Sequence, residues 1–178
     1  MNTRRKTTLK LTYSAVCLAM AILLPFLTAN NQQLGNALSL MHIPVFLCGF
    51  LCGPVWGAAV GLVAPMLRHL IVGMPPFWTA FAMMFELCVY GLLSGLLYKV
   101  FPKKIQFIYI SLVAAMLGGR IMGGIVKFIL MGFGKTTFSM AAFFTSYFAV
   151  ALPGIIVHIV LVPLLVFALQ RAKLVPNE

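Results

Sequence analysis

Six side chains could carry charge or move a proton from inside long apolar runs: Arg68, His69, Glu86, Arg120, Lys127 and His158. Inside a membrane span such a group costs about 2.5–3.5 kcal/mol on insertion scales unless it meets a partner or a cavity. Glu86 is the only internal acid, so it neutralises one of the cations Arg68, Arg120 and Lys127 and leaves the others in excess. A carboxylate or phosphate arriving from outside would balance that excess through charge-assisted hydrogen bonds. Arg120 suits the task. Gly118, Gly119, Gly123 and Gly124 leave room around it, and its planar fork matches either anion. Arg120 and Lys127, seven residues apart, share one helix face. The competing arrangement is an Arg120–Glu86 bridge, with the other cations snorkelling or bonding to backbone carbonyls.

Other chemistries lack their parts. Ser94 and Ser111 have no histidine at helical spacing, and residues 81–90 around Glu86 contain none. A nucleophile without a base, or an acid without a His-Glu-x-x-His cluster, does not make a hydrolase. No glycine loop of the Walker type is present, so no ATPase activity is expected of this chain. Cys48 and Cys52 lie one helical turn apart with His42 nearby, a metal set by residue type. They sit among Leu, Phe and Gly with no carboxylate, which fits buried free thiols, as does the placement of Cys17 and Cys88. No catalytic residue, cofactor or metal is expected. An intramembrane enzyme (a protease or a lipid-modifying transferase) and a small homo-oligomeric channel are the alternatives. The enzyme lacks its residue set, and a channel would repeat a polar stripe along a pore.

The elements that must position these side chains follow from composition. Hydrophobic residues make up 62% of the chain and charged ones 8%, too few to cover a soluble domain. The mean hydropathy of +1.07 has the same consequence. The expected fold is an all-α integral membrane protein, a single membrane domain over 1–178 built as a bundle of six transmembrane helices. The spans fall at about 9–28, 40–52, 55–72, 77–100, 105–131 and 140–169. The second is too short to cross alone. Pro153 and Pro163 interrupt the last. Small residues four apart, as in Gly57-x-x-x-Gly61 and Gly91-x-x-x-Gly95, suit close helix packing inside the bundle.

A net charge of +11 invites a nucleic-acid reading, but its placement opposes it. Arg4, Arg5, Lys6 and Lys10 precede the first run, Lys99, Lys103 and Lys104 separate two later ones, and Arg171 and Lys173 follow the last. Six spans put all three clusters on one face and leave only Lys135 on the other. By the positive-inside rule both termini are cytoplasmic. The clusters would meet anionic lipid headgroups, and no nucleic-acid partner is expected. The basic start and apolar core fit a signal peptide, but no small-x-small site follows Phe26, so the first helix is expected to be retained.

Size, six spans and the basic cytoplasmic face give the chain a resemblance to the substrate-binding S component of bacterial energy-coupling factor (ECF) vitamin transporters. Ala15-x-x-x-Ala19 matches the alanine motif with which such proteins dock on a transmembrane coupling subunit. Met41-His42-Ile43-Pro44 followed by Gly53-Pro54-x-x-Gly57-x-x-x-Gly61 is similar to the second and third spans of vitamin-type members. The resemblance implies a multi-pass protein of the bacterial cell membrane that binds a vitamin or precursor on its outer side. It also implies assembly with the coupling subunit and two cytoplasmic ATPases, and rotation in the membrane to deliver the ligand. It places Arg68, Glu86, Arg120 and Lys127 around the pocket, with Trp78, Tyr147 and His158 to stack or hydrogen-bond. Nickel and cobalt members use an N-terminal Met-His; here Met41-His42 is internal, which argues against a metal cargo. Excess cations fit an anionic ligand such as pantothenate, nicotinate or a B6 vitamer.

Overall fold

A chain this apolar must satisfy its backbone within each segment, and helices do so without outside partners. The computed structural model describes residues 3–28, 32–102, 104–134, 139, 141 and 144–172, and its long elements are helical throughout. The loops 29–31 and 135–138, Met140 (where the last span is expected to begin), Lys103 and Lys173 lie outside the described residues. The helices are α1 (Thr3–Leu23), α2 (Gln32–Leu38), α3 (His42–Cys52), α4 (Pro54–Val72), α5 (Phe77–Val100), α6 (Ile105–Gly132) and α7 (Leu152–Arg171). A tight 3-10 turn, Leu24–Thr28, extends α1, and a π-helical turn, Thr145–Val150, precedes α7.

Among the described residues five helices are long and apolar enough to cross a bilayer: α1 with its 3-10 extension, α4, α5, α6 and α7. The expected second span is a different kind of element. At 11 residues, α3 is about 16 Å long against a hydrocarbon thickness of about 30 Å. Every one of its residues is buried. It packs against α1, α4, α5 and α7. A helix that is apolar all round is stable where other protein surrounds it, and α3 is so placed.

Gly53 turns α3 into α4. Its φ of 99° and ψ of 177° suit glycine and almost no other residue, while its N–H still closes α3 on the Gly49 carbonyl at 3.0 Å. The α4–α5 seam is then drawn almost backbone to backbone. A Cβ on Gly57 would stand 2.6 Å from the Gly91 carbonyl oxygen, and one on Gly61 would stand 2.2 Å from that of Leu87. As residue numbers rise on α4 they fall on α5, so the two helices run antiparallel. The last span also differs from expectation. Pro153 begins α7 instead of interrupting a helix, because the first turn needs no N–H from it.

Candidate functional site

One end of the bundle, where α1, α3, α4, α5, α6 and α7 all begin or finish, encloses a cavity of about 790 Å³. Helix periodicity selects its lining. Thr79, Met83, Glu86 and Tyr90 recur at intervals of three and four along α5, and Met116, Arg120 and Lys127 follow at intervals of four and seven along α6. Arg68 enters from α4, His42 and Phe46 from α3, His158 from α7 and Ser39 from the α2–α3 turn. Of the residues expected to form a pocket, Arg68, Glu86, Arg120, Lys127 and His158 thus share one cavity.

The deep part is a polar cluster on an aromatic floor. The Tyr90 hydroxyl donates to Glu86 Oε1 at 2.8 Å, and His42 Nε2 stands 4.0 Å from the same oxygen. Both imidazoles donate to one carbonyl: His42 Nδ1 reaches Ser39 O at 2.9 Å and His158 Nε2 reaches it at 3.2 Å. Ser39 has a φ of 47°, a left-handed conformation that costs a serine about 1–2 kcal/mol. Phe46 stacks on Tyr90 at 4.9 Å between ring centroids, and the His42 and His158 rings are 5.9 Å apart. Arg120 lies close enough to His42, Tyr90 and His158 to act on each electrostatically. Gly119 allows this approach: a Cβ there would meet the Tyr90 ring and stand 2.8 Å from the Glu86 carbonyl oxygen.

The upper part is cationic. Lys127 is two helical turns beyond Arg120, about 10 Å along α6, and feels the Glu86 charge. Arg68 has a second duty. Its Nε donates to Met74 O at 3.3 Å, and its guanidinium lies over the Phe26 ring at 5.5 Å. His69, beside it, holds Pro75 O at 2.8 Å. These two residues tie the turn at 73–76 to α4, and His69 is not part of the cavity wall.

Of the remaining expected ligand contacts, Trp78 stands elsewhere. Trp78 packs edge-on against Phe77 and Phe81 and lines a separate apolar notch with Ile129, Leu130 and Phe133. The Tyr147 side chain lies outside the described residues. Ala15 and Ala19 are on the exposed side of α1, while Ser14 and Cys17 on the same helix face inward. Cys17, Cys48 and Cys52 are buried free thiols, and Cys48 Sγ donates to Ser14 Oγ at 3.4 Å.

Sequence reasoning missed His42, Tyr90 and Ser39 as cavity residues. Tyr90 carried a signal, since a hydroxyl four residues after a buried carboxylate shares its face. From its neighbours His42 reads as a metal ligand beside Cys48 or as part of Met41-His42-Ile43-Pro44, not as a cavity residue. The Ser39 carbonyl is a main-chain acceptor and left no trace in the sequence.

Apolar helices closed around a charged cavity that opens at one end of the bundle define a multi-pass membrane protein able to hold a small polar solute. The model of the family described as ECF transporter, substrate-specific component, matches residues 9–169. The chain belongs to that family, so it is the substrate-binding subunit of an ECF transporter. Membership implies association with the transporter's membrane and ATPase subunits, and the family is one of transport components, not enzymes. No curated protein and no solved structure matches the chain.

Proposed function

We propose that this subunit captures a small anionic vitamin or vitamin precursor from the outer side of the bacterial cell membrane. The observation that carries the reading is the charge of the cavity wall. Among its described residues Arg68, Arg120 and Lys127 stand against the single carboxylate of Glu86. Whichever cation Glu86 neutralises, the wall stays positive. In a low-dielectric bundle that excess is costly until an anion enters. A carboxylate or phosphate held by Arg and Lys would gain hydrogen bonds stronger than neutral ones.

The topology fits uptake. With both termini cytoplasmic, Lys10, Lys99, Lys104 and Arg171 meet the inner leaflet, and the cavity faces outward. The exposed Ala15 and Ala19 would then dock α1 on the coupling subunit, since small side chains let a partner helix come close. Energy would come from the two ATPases, so the isolated subunit binds ligand without hydrolysing ATP.

Native mass spectrometry of the protein purified from bacterial membranes tests the reading. The expected result is one co-purified molecule carrying a carboxylate or phosphate. A bound cation, or a neutral lipid in the cavity, would overturn it.

A further inference from the structure

Three successive carbonyls at the end of α2 and just past it, those of Ala37, Leu38 and Ser39, meet one face of α7. Gly154 and His158 lie one turn apart on that helix, so they share the face. A Cβ on Gly154 would stand 2.5 Å from the Ala37 oxygen and 2.9 Å from that of Leu38. His158 Nε2 donates to the next carbonyl, Ser39 O, at 3.2 Å. The same oxygen receives the His42 main-chain N–H at 3.0 Å and His42 Nδ1 at 2.9 Å. Those two donors come from three residues along the chain and shape the turn. The His158 donor comes from 119 residues away and ties the turn to the last helix. Three donors share an oxygen with two lone pairs, so the histidine N–H is spent within the protein. His158, 2% exposed, has almost no surface left for a ligand.

α2 needs such a tie. At seven residues it falls well short of the about 12–15 at which an isolated helix becomes marginal in water, so packing must hold it. Ser39, which follows it at a φ of 47°, keeps that conformation only where its surroundings fix it. Yet Leu34, Gly35 and Ala37 of α2 wall the cavity.

We infer that His158 is a positioning residue for ligand capture: through the Ser39 carbonyl, with Gly154 as the seat, it holds α2 against α7 and so sets one wall of the cavity without touching the ligand. This rests on the reading of the cavity as the capture site. It is separate from the charge of the wall, since Arg68 stands on α4 and Arg120 and Lys127 on α6.

Hydrogen exchange on the full-length protein in nanodiscs tests the tie, with His158→Gln, His158→Leu and Gly154→Ala beside the parent. The glutamine amide nitrogen can take the place of Nε2 and donate to Ser39 O, whereas leucine donates nothing. The amides of α2 should exchange at least about tenfold faster in His158→Leu and Gly154→Ala, and within about threefold of the parent in His158→Gln. Those of the α4–α5 seam should stay unchanged. Should His158→Leu not fold, His158→Asn, whose shorter amide falls short of Ser39 O, replaces it under the same criteria. An α2 as protected without the donor as in the parent, or as loose in His158→Gln as in His158→Leu, would overturn the inference. The share of protein carrying a co-purified small acid, read by native mass spectrometry on the same samples, should follow α2: kept in His158→Gln and reduced at least about tenfold in His158→Leu. A loosened α2 with full occupancy would overturn the positioning role and leave the anionic reading standing. A parent that carries no acid would overturn the anionic reading, and exchange would still decide the tie.

Discussion

The glycine seam between α4 and α5 and the cavity beyond it are built on opposite terms. In the seam, Gly57, Gly61, Gly91 and Gly95 bring main chain against main chain. A few residues further along the same two helices, Arg68 and Glu86 stand where small residues stood and line a cavity of about 790 Å³. The seam draws its stability from contact that leaves no volume. The cavity accepts buried charge and empty volume, both of which oppose folding. One pair of helices can do both because the rigid seam holds the polar end in place without help from the polar groups.

That contrast can be broken most forcibly at the seam. Gly61→Val places a Cβ where the Leu87 backbone oxygen stands 2.2 Å away, and backbone cannot yield as a side chain can. The bundle should lose at least about 3 kcal/mol, at the high end for overpacking, seen as a collapsed melting temperature and aggregation in size-exclusion chromatography. A variant that melts like the parent would show the seam to be slack. A change of like size in the cavity should spare the fold. Lys127→Ala removes one of the cavity's cations; we expect affinity for an anionic ligand to fall about tenfold, or 1.4 kcal/mol, while the melting temperature of the unliganded protein stays within a few degrees.

Outside both regions the effects on the isolated protein should be small. Leucine at both Ala15 and Ala19 adds bulk to an exposed face. Ligand binding by the purified subunit should change less than about twofold, while uptake by the assembled transporter is abolished. Equal loss of binding would make those alanines part of the internal packing. Trp78→Phe should have the least effect. Its ring lines the apolar notch and not the charged cavity, so affinity should stay within about twofold; a tenfold loss would bring Trp78 back into the ligand site.

Much of this was legible in the sequence for physical reasons. A bilayer demands long apolar helices, and that demand writes itself as runs that can be counted. α5, expected over about 77–100, is a helix from Phe77 to Val100, bounded by Pro76 before and Pro102 after. The class of the cavity was legible because Arg68, Glu86, Arg120, Lys127 and His158 are out of place in apolar runs, and they share one wall. Three-dimensional consequences were not. That α3 is enclosed on every side cannot be told from its composition, since a lipid-facing helix reads the same. The meeting of His42 and His158 on one carbonyl joins residues 116 apart through a main-chain atom, which no residue type advertises. Trp78 carries the chemistry of a ligand contact, yet its position on α5 turns it toward Phe81 and α6.

If the positive excess of the cavity holds an anion, loss of the Arg120 guanidinium should release it. Native mass spectrometry on wild-type protein and on Arg120→Ala, expressed and purified side by side, reads the bound molecule and its occupancy together. A small acid is expected on the wild type, at most about a tenth of that occupancy on Arg120→Ala, with both proteins folded and monodisperse. An acid retained in full by Arg120→Ala, or a wild-type ligand with no negative charge, would contradict it.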